Sequence, residues 1–123
     1  MGNLGEMIKL YRERAGMSQN ALARKVSVNP AYINRLEKRG QGAGNLELVK
    51  GVANALCLNA VERDVMLATA GHLPLSLANV GADDETLLLV ADILSDGSIS
   101  EHDKELFRLH VRLAARPWRE TGL

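Results

Sequence analysis

A chain of 123 residues suits one domain of ordinary size or a small domain with an appendage. Apolar residues make up 46% and aromatics only 3%, so leucine, valine, isoleucine and alanine must fill the core, a supply that favours helices. The zero net charge hides a split: residues 1–50 carry nine Lys/Arg against four Glu, a net of +5, and residues 51–123 carry −5, so polyanions are drawn to one end only.

The elements follow in chain order. Leu4, Met7, Ile8 and Tyr11 form one stripe of a first helix, and Gly16 stops it. Ser18 is the expected N-cap of a short second helix with Leu22, Ala23 and Val26 inward. Asn29 caps a third, with Pro30 at its first position and the chain helical to Arg39; Gly40, Gly42 and Gly44 then make a loop. Asn45 caps a fourth helix carrying Leu46, Leu48, Val49, Val52, Ala53 and Leu56. Asn59 and Glu62 form a capping box at the start of a fifth, which Gly71 ends. Residues 72–82 read as an apolar connector lying against a surface. Asp83, Asp84 and Glu85 place negative charge at the start of a sixth helix. Ser100 and Asp103 open a seventh that reaches about Arg116, where Pro117 stops it. No strand pattern or internal repeat is visible.

The second and third helices, separated by VSVN, have the spacing of a helix-turn-helix. The stretch LGEMIKLYRERAGMSQNALARKVSVNPAYINRLEKRG, followed by LELVKGVANALCL, resembles the domain of the Cro/C1-type (XRE family) transcriptional regulators. The resemblance rests on Gly16-Met17-Ser18-Gln19, Leu22-Ala23, Val28, Tyr32-Ile33, Leu36-Glu37 and Leu46, Leu48, Val52 and Ala53. Ser27 stands where that family usually has glycine, and the loop after Glu37 is longer and richer in glycine. The implied fold is all-α: a five-helix lambda-repressor-like domain over residues 1–71, then a C-terminal helical pair over 83–123. By the same resemblance, Glu37 holds the fold together.

In this geometry the N-terminal part of the third helix reads base edges in the major groove. The candidate readers are Asn29, Pro30, Ala31, Asn34 and Arg35. Arginine suits guanine, asparagine suits adenine, and proline or alanine suits a thymine methyl. Gln19 and Asn20, at the start of the second helix, and Lys38, Arg39 and Asn45, beside the glycine loop, are candidate phosphate contacts. Arg12, Arg24 and Lys25 either add to the positive field or are plain solvated residues.

One such domain covers few base pairs, so a two-fold dimer is expected. The last two helices carry more apolar residues than a two-helix appendage can bury. Leu87, Val90, Leu94, Leu106, Phe107 and Leu113 are the candidate interface.

Other chemistry has little support. GQGAG follows no strand and so is not a phosphate-binding loop, and Asp83-Asp84 is helix-start chemistry; no enzyme is expected and no catalytic residue is assigned. His72, His102 and His110 are too scattered for zinc, and one cysteine excludes both an intrachain disulfide and a cysteine-rich metal site; no metal or cofactor is expected. Cys57 reads as a small buried hydrophobe, and Trp118 as a pin for the C-terminus. The longest apolar run, residues 87–91, is far short of a membrane span, and no secretory signal is visible. The expected protein is therefore a cytoplasmic, dimeric repressor that binds double-stranded DNA at a palindromic operator. Two alternatives stay open: an antitoxin-type DNA binder whose last helices hold a partner protein, and an interaction adaptor without DNA binding.

Overall fold

Asparagine, serine and aspartate open nearly every helix of this chain. In a computed structural model that describes residues 3–39 and 45–119, Asn3, Ser18, Asn45, Asn59, Asp84 and Ser100 each accept a backbone N–H from the first turn that follows. Each satisfies a donor that the helix itself leaves unpaired. The helices are α1 (Leu4–Arg14), α2 (Gln19–Lys25), α3 (Pro30–Arg39), α4 (Leu46–Ala55), α5 (Ala60–Thr69), α6 (Glu85–Ser95) and α7 (Glu101–Ala115). Short 3-10 turns cover Leu75–Asn79 and Arg116–Trp118, and there is no strand among the described residues. The glycines at 40, 42 and 44 lie outside the described residues.

Four helices end in one way. The residue two places past the helix takes a positive φ, at Gly16 (66°), Ser27 (59°), Cys57 (56°) and Gly71 (90°). The next N–H then reaches back five residues: Met17 to Arg12, Val28 to Ala23, Leu58 to Ala53 and His72 to Leu67, at 2.8–3.1 Å. This closure pairs helix carbonyls that would otherwise be unsatisfied and turns the next residue back onto the helix. Met17, Val28 and Leu58 then pack against the core. Glycine holds the left-handed conformation without strain, whereas serine and cysteine pay for their Cβ. Cys57 is therefore not the buried hydrophobe its position suggested: the closure of α4 turns it outward, and it is exposed.

The described chain divides into two units, Met1–Val80 and Gly81–Leu123. In the first, Leu4, Met7 and Ile8 of α1 meet Leu22 and Ala23 of α2, Ile33 and Leu36 of α3, Val49, Val52 and Ala53 of α4, Leu56, and Met66 and Leu67 of α5. Leu46 is 37% exposed at the first position of α4. Gly5 sits where α1 crosses α3: a Cβ there would lie 2.3 Å from the Leu36 carbonyl oxygen and 2.6 Å from that of Glu37. Only glycine lets the two backbones approach so closely.

The apolar stretch after α5 is anchored in this unit. The Asp64 carboxylate accepts the Leu75 N–H at 3.1 Å, and Leu75 packs on the core. The second unit is different in kind. None of its described apolar residues is buried; Leu87, Val90, Ile93, Leu94, Ile99 and Phe107 are half-buried, and Leu88, Leu89, Leu106, Leu109, Val111 and Leu113 are exposed. Trp118, expected to pin the C-terminus, is 75% exposed on the 3-10 turn past α7.

Candidate nucleic-acid interface

The pairing of α2 and α3 depends on the turn between them. With Ser27 in the left-handed region and Val28 bonded back to Ala23 at 2.9 Å, the chain reverses within four residues. The Asn29 side chain accepts the Ala31 N–H at 2.8 Å, so a short polar residue starts α3 as soon as the turn is complete. Ile33 and Leu36 fix the inner face of α3. Asn29, Pro30, Ala31 and Arg35 stay exposed on the other side, and Asn34 is half-buried at its margin.

A chain of polar contacts connects that margin to the interior. Glu37 is buried, its side chain 3% exposed, and the Arg12 guanidinium donates to it twice, from Nε at 2.7 Å and from Nη2 at 3.0 Å. A third Arg12 donor reaches the Met17 carbonyl at 2.9 Å. The hydrogen bond from Arg12 to Glu37 raises the arginine's pKa above its usual value, so the guanidinium stays charged. Gln19 then donates its amide to Glu37 Oε1 at 3.0 Å, and Asn34 donates to Gln19 Oε1 at 3.2 Å.

The order of these contacts has a chemical consequence. A carboxylate accepts only, so Glu37 turns the Gln19 NH2 inward and its oxygen outward. That oxygen in turn holds the Asn34 NH2. Asn34 is left with its carbonyl oxygen and one N–H, an acceptor beside a donor, which is the pair an adenine edge complements. Arg12, read from sequence as a field-supplying or solvated residue, is instead the inner end of this chain. Its partner lies 25 residues away, beyond the reach of any local pattern. The detectable signal was the partner: a lone acid following Leu36 on an otherwise basic helix.

The other candidates are placed as follows. Arg35 lies 6.0 Å from the centre of the Tyr32 ring, a cation–π contact that leaves its guanidinium in solvent. Asn20, Lys38 and Arg39 are exposed. Asn45 is exposed and caps α4, its oxygen accepting from Glu47 and Leu48. Gln19 is half-buried and engaged on both sides. Lys9 and Lys38 border a recess of about 420 Å³ that Gln19 and Asn34 also line. Among the described residues, no carboxylate lies within 4 Å of Lys9, Arg24, Lys25, Arg35, Lys38 or Arg39, whereas Arg14, Lys50 and Arg63 are ion-paired. The unpaired positive charge of the first unit thus lies on α1, α2 and α3. The candidate interface residues of the second unit divide into half-buried Leu87, Val90, Leu94 and Phe107 and exposed Leu106 and Leu113. Among the described residues, no helix is long and apolar enough to cross a membrane.

Residues 3–66 match the family model described as a helix-turn-helix domain, which covers α1 to α4 and most of α5. No curated protein matches the chain. Among solved structures, a chain of a SinR protein/SinI protein complex is similar, 21% identical with a TM-score of 0.46, over 91% of this chain and 98% of that one. At that level the likeness carries no functional argument.

Proposed function

Because the chain belongs to the helix-turn-helix domain family, we propose that it is a sequence-specific DNA-binding transcriptional regulator of the Cro/C1 type, acting as a dimeric repressor on a palindromic operator. One observation carries this reading. The outward side of α3 keeps Asn29, Pro30, Ala31 and Arg35 uncovered, while a buried ion pair, acting through Gln19, sets the direction of Asn34. A plain solvated face needs no such preset donor and acceptor.

In this account α3 lies in the major groove. Arg35 spans the N7 and O6 acceptors of a guanine, Asn34 reads an adenine, and Pro30 and Ala31 bear on a thymine methyl. Asn20, Lys38, Arg39 and Asn45 hold phosphates and fix the register. Gln19, tied on both sides, serves mainly to orient Asn34. The second unit joins two copies so that half-sites fall about 34 Å apart, one helical turn of DNA.

Selection of bound fragments from a random duplex pool by the purified full chain tests the proposal. The expected consensus is palindromic, with its half-sites one turn apart. Recovery of unenriched sequence at low salt, with no retention at physiological salt, would contradict it. The exposed leucines of the second unit favour a second reading, in which the same DNA binder also holds a partner protein as an antitoxin does. A partner that stays bound through purification and blocks self-association would select that reading.

A further inference from the structure

On α7, Leu106, Leu109 and Leu113 follow at intervals of three and four residues and are 43%, 42% and 47% exposed. Those intervals put them on one stripe of the helix. The better-covered residues Lys104, Phe107, Arg108 and Ala115 lie on the opposite side, with exposed Val111 among them, and Arg112 is half-buried on one flank. The leucine stripe is therefore the outer face of α7 within its unit, uncovered by the described residues of that unit.

The charges along one flank of that stripe are ordered. Glu101 and Glu105 lie on the N-terminal half, and Arg112 and Arg116 on the C-terminal half, at intervals of four, seven and four. The series reads as its own complement when reversed. The other flank, with Asp103, His110 and Ala114, has no lysine or arginine.

We propose that the occupant of this face is a second copy of the same helix, running antiparallel, with the two-fold axis beside Leu109. The inference rests on the dimer reading above and specifies its geometry. When helices pair antiparallel along a stripe, like flanks meet; when they pair parallel, unlike flanks meet. Antiparallel pairing centred on Leu109 sets Leu106 against the partner's Leu113. It also sets Glu105 beside the partner's Arg112, and Glu101 beside the partner's Arg116. Each of these contacts occurs twice, as a two-fold interface requires. Parallel pairing would bring the acidic half of one helix to the acidic half of the other, with no cation on the facing flank. In the single chain Glu105 accepts from Arg108 at 2.7 Å and Glu101 faces Lys104 at 3.6 Å. Their side chains remain 62% and 84% exposed, and a carboxylate has lone pairs for a second donor. The leucines supply the affinity, and the charges select the direction.

Disulfide trapping in the full chain, on a Cys57→Ser background, tests the register. Leu109→Cys should cross-link with itself under mild oxidation. Leu106→Cys and Leu113→Cys should each cross-link poorly alone and readily when mixed. Arg112→Glu with Arg116→Glu should weaken self-association at least tenfold, and adding Glu101→Arg with Glu105→Arg should restore it. Self-linking of Leu106→Cys and of Leu113→Cys would overturn the antiparallel arrangement. A dimer by sedimentation that none of these cysteines traps would overturn the α7 interface while leaving the dimer reading in place. A chain that stays monomeric at tens of micromolar would overturn both.

Discussion

The two units of this chain use the same rules for starting a helix and opposite rules for apolar residues. In both, an Asn, Ser or Asp accepts the first N–H groups. In the first unit one apolar face of each helix goes inside, with Leu22, Ile33, Met66 and Leu67 fully buried, although Leu10 on α1 stays exposed. In the second, Leu88, Leu89, Leu106, Leu109 and Leu113 remain in solvent, and the least exposed side chain is a lysine, Lys104. Helical periodicity alone says which residues share a face. It does not say whether that face closes on its own chain or on another.

The comparison can be broken by substitutions of one chemical kind. Leu22→Ala should cost about 3 kcal/mol in denaturant unfolding, because a fully buried side chain leaves a cavity. Leu106→Ala should change the unfolding of the isolated chain by about 0.5 kcal/mol or less. An equal loss at both positions would mean that the second unit has an interior of its own. Gly5→Ala should rival the first of these, at about 3 kcal/mol, because its methyl would collide with two backbone carbonyls of α3 and neither can swing aside.

A gain is expected where the left-handed turns lack glycine. Ser27→Gly should stabilise the first unit by about 1 kcal/mol, since it removes the cost of a Cβ at φ 59°. Cys57→Gly should act alike at the end of α4, and thermal unfolding of both variants checks the pair. If either loses stability, the side chain there makes a contact worth more than the strain.

The smallest effect expected is acidic. The Arg14 side chain and then the Asn59 backbone N–H hold Glu62 below the ordinary carboxylate range, while the Ser76 hydroxyl and then Arg63 do the same for Asp64. A depressed folded pKa gives stability that is complete above the ordinary value and is lost as pH falls through the lower one. Unfolding midpoints should therefore be flat from pH 7 to 5 and decline below about pH 4. The Leu75 amide, whose acceptor is Asp64, should lose protection from hydrogen exchange over the same interval.

What was legible in the sequence is what depends on near neighbours. Ser18, Asn29, Asn45, Asn59 and Ser100 act within three residues of themselves, so composition and spacing located them. The stripe of Leu4, Met7 and Ile8 was equally local. What escaped depends on approach between distant segments. Gly5 is glycine because α3 passes it, Arg12 matters because Glu37 lies 25 residues on, and nothing near Cys57 announces that it takes the turn. At the candidate interface, the identity of the outward residues of α3 was readable. The direction imposed on Asn34 was not, since it arises from three side chains on three helices.

The central claim is that the outer side of α3 reads base edges, and titration of the full chain and of Arg35→Ala against the selected duplex and a scrambled one tests it most directly. The prediction is a loss of about 1–3 kcal/mol on the selected site, little change on the scrambled one, and wild-type affinity that falls steeply as salt rises. Equal weakening on both duplexes would make Arg35 a phosphate contact, and no weakening on either would place recognition on another part of the molecule.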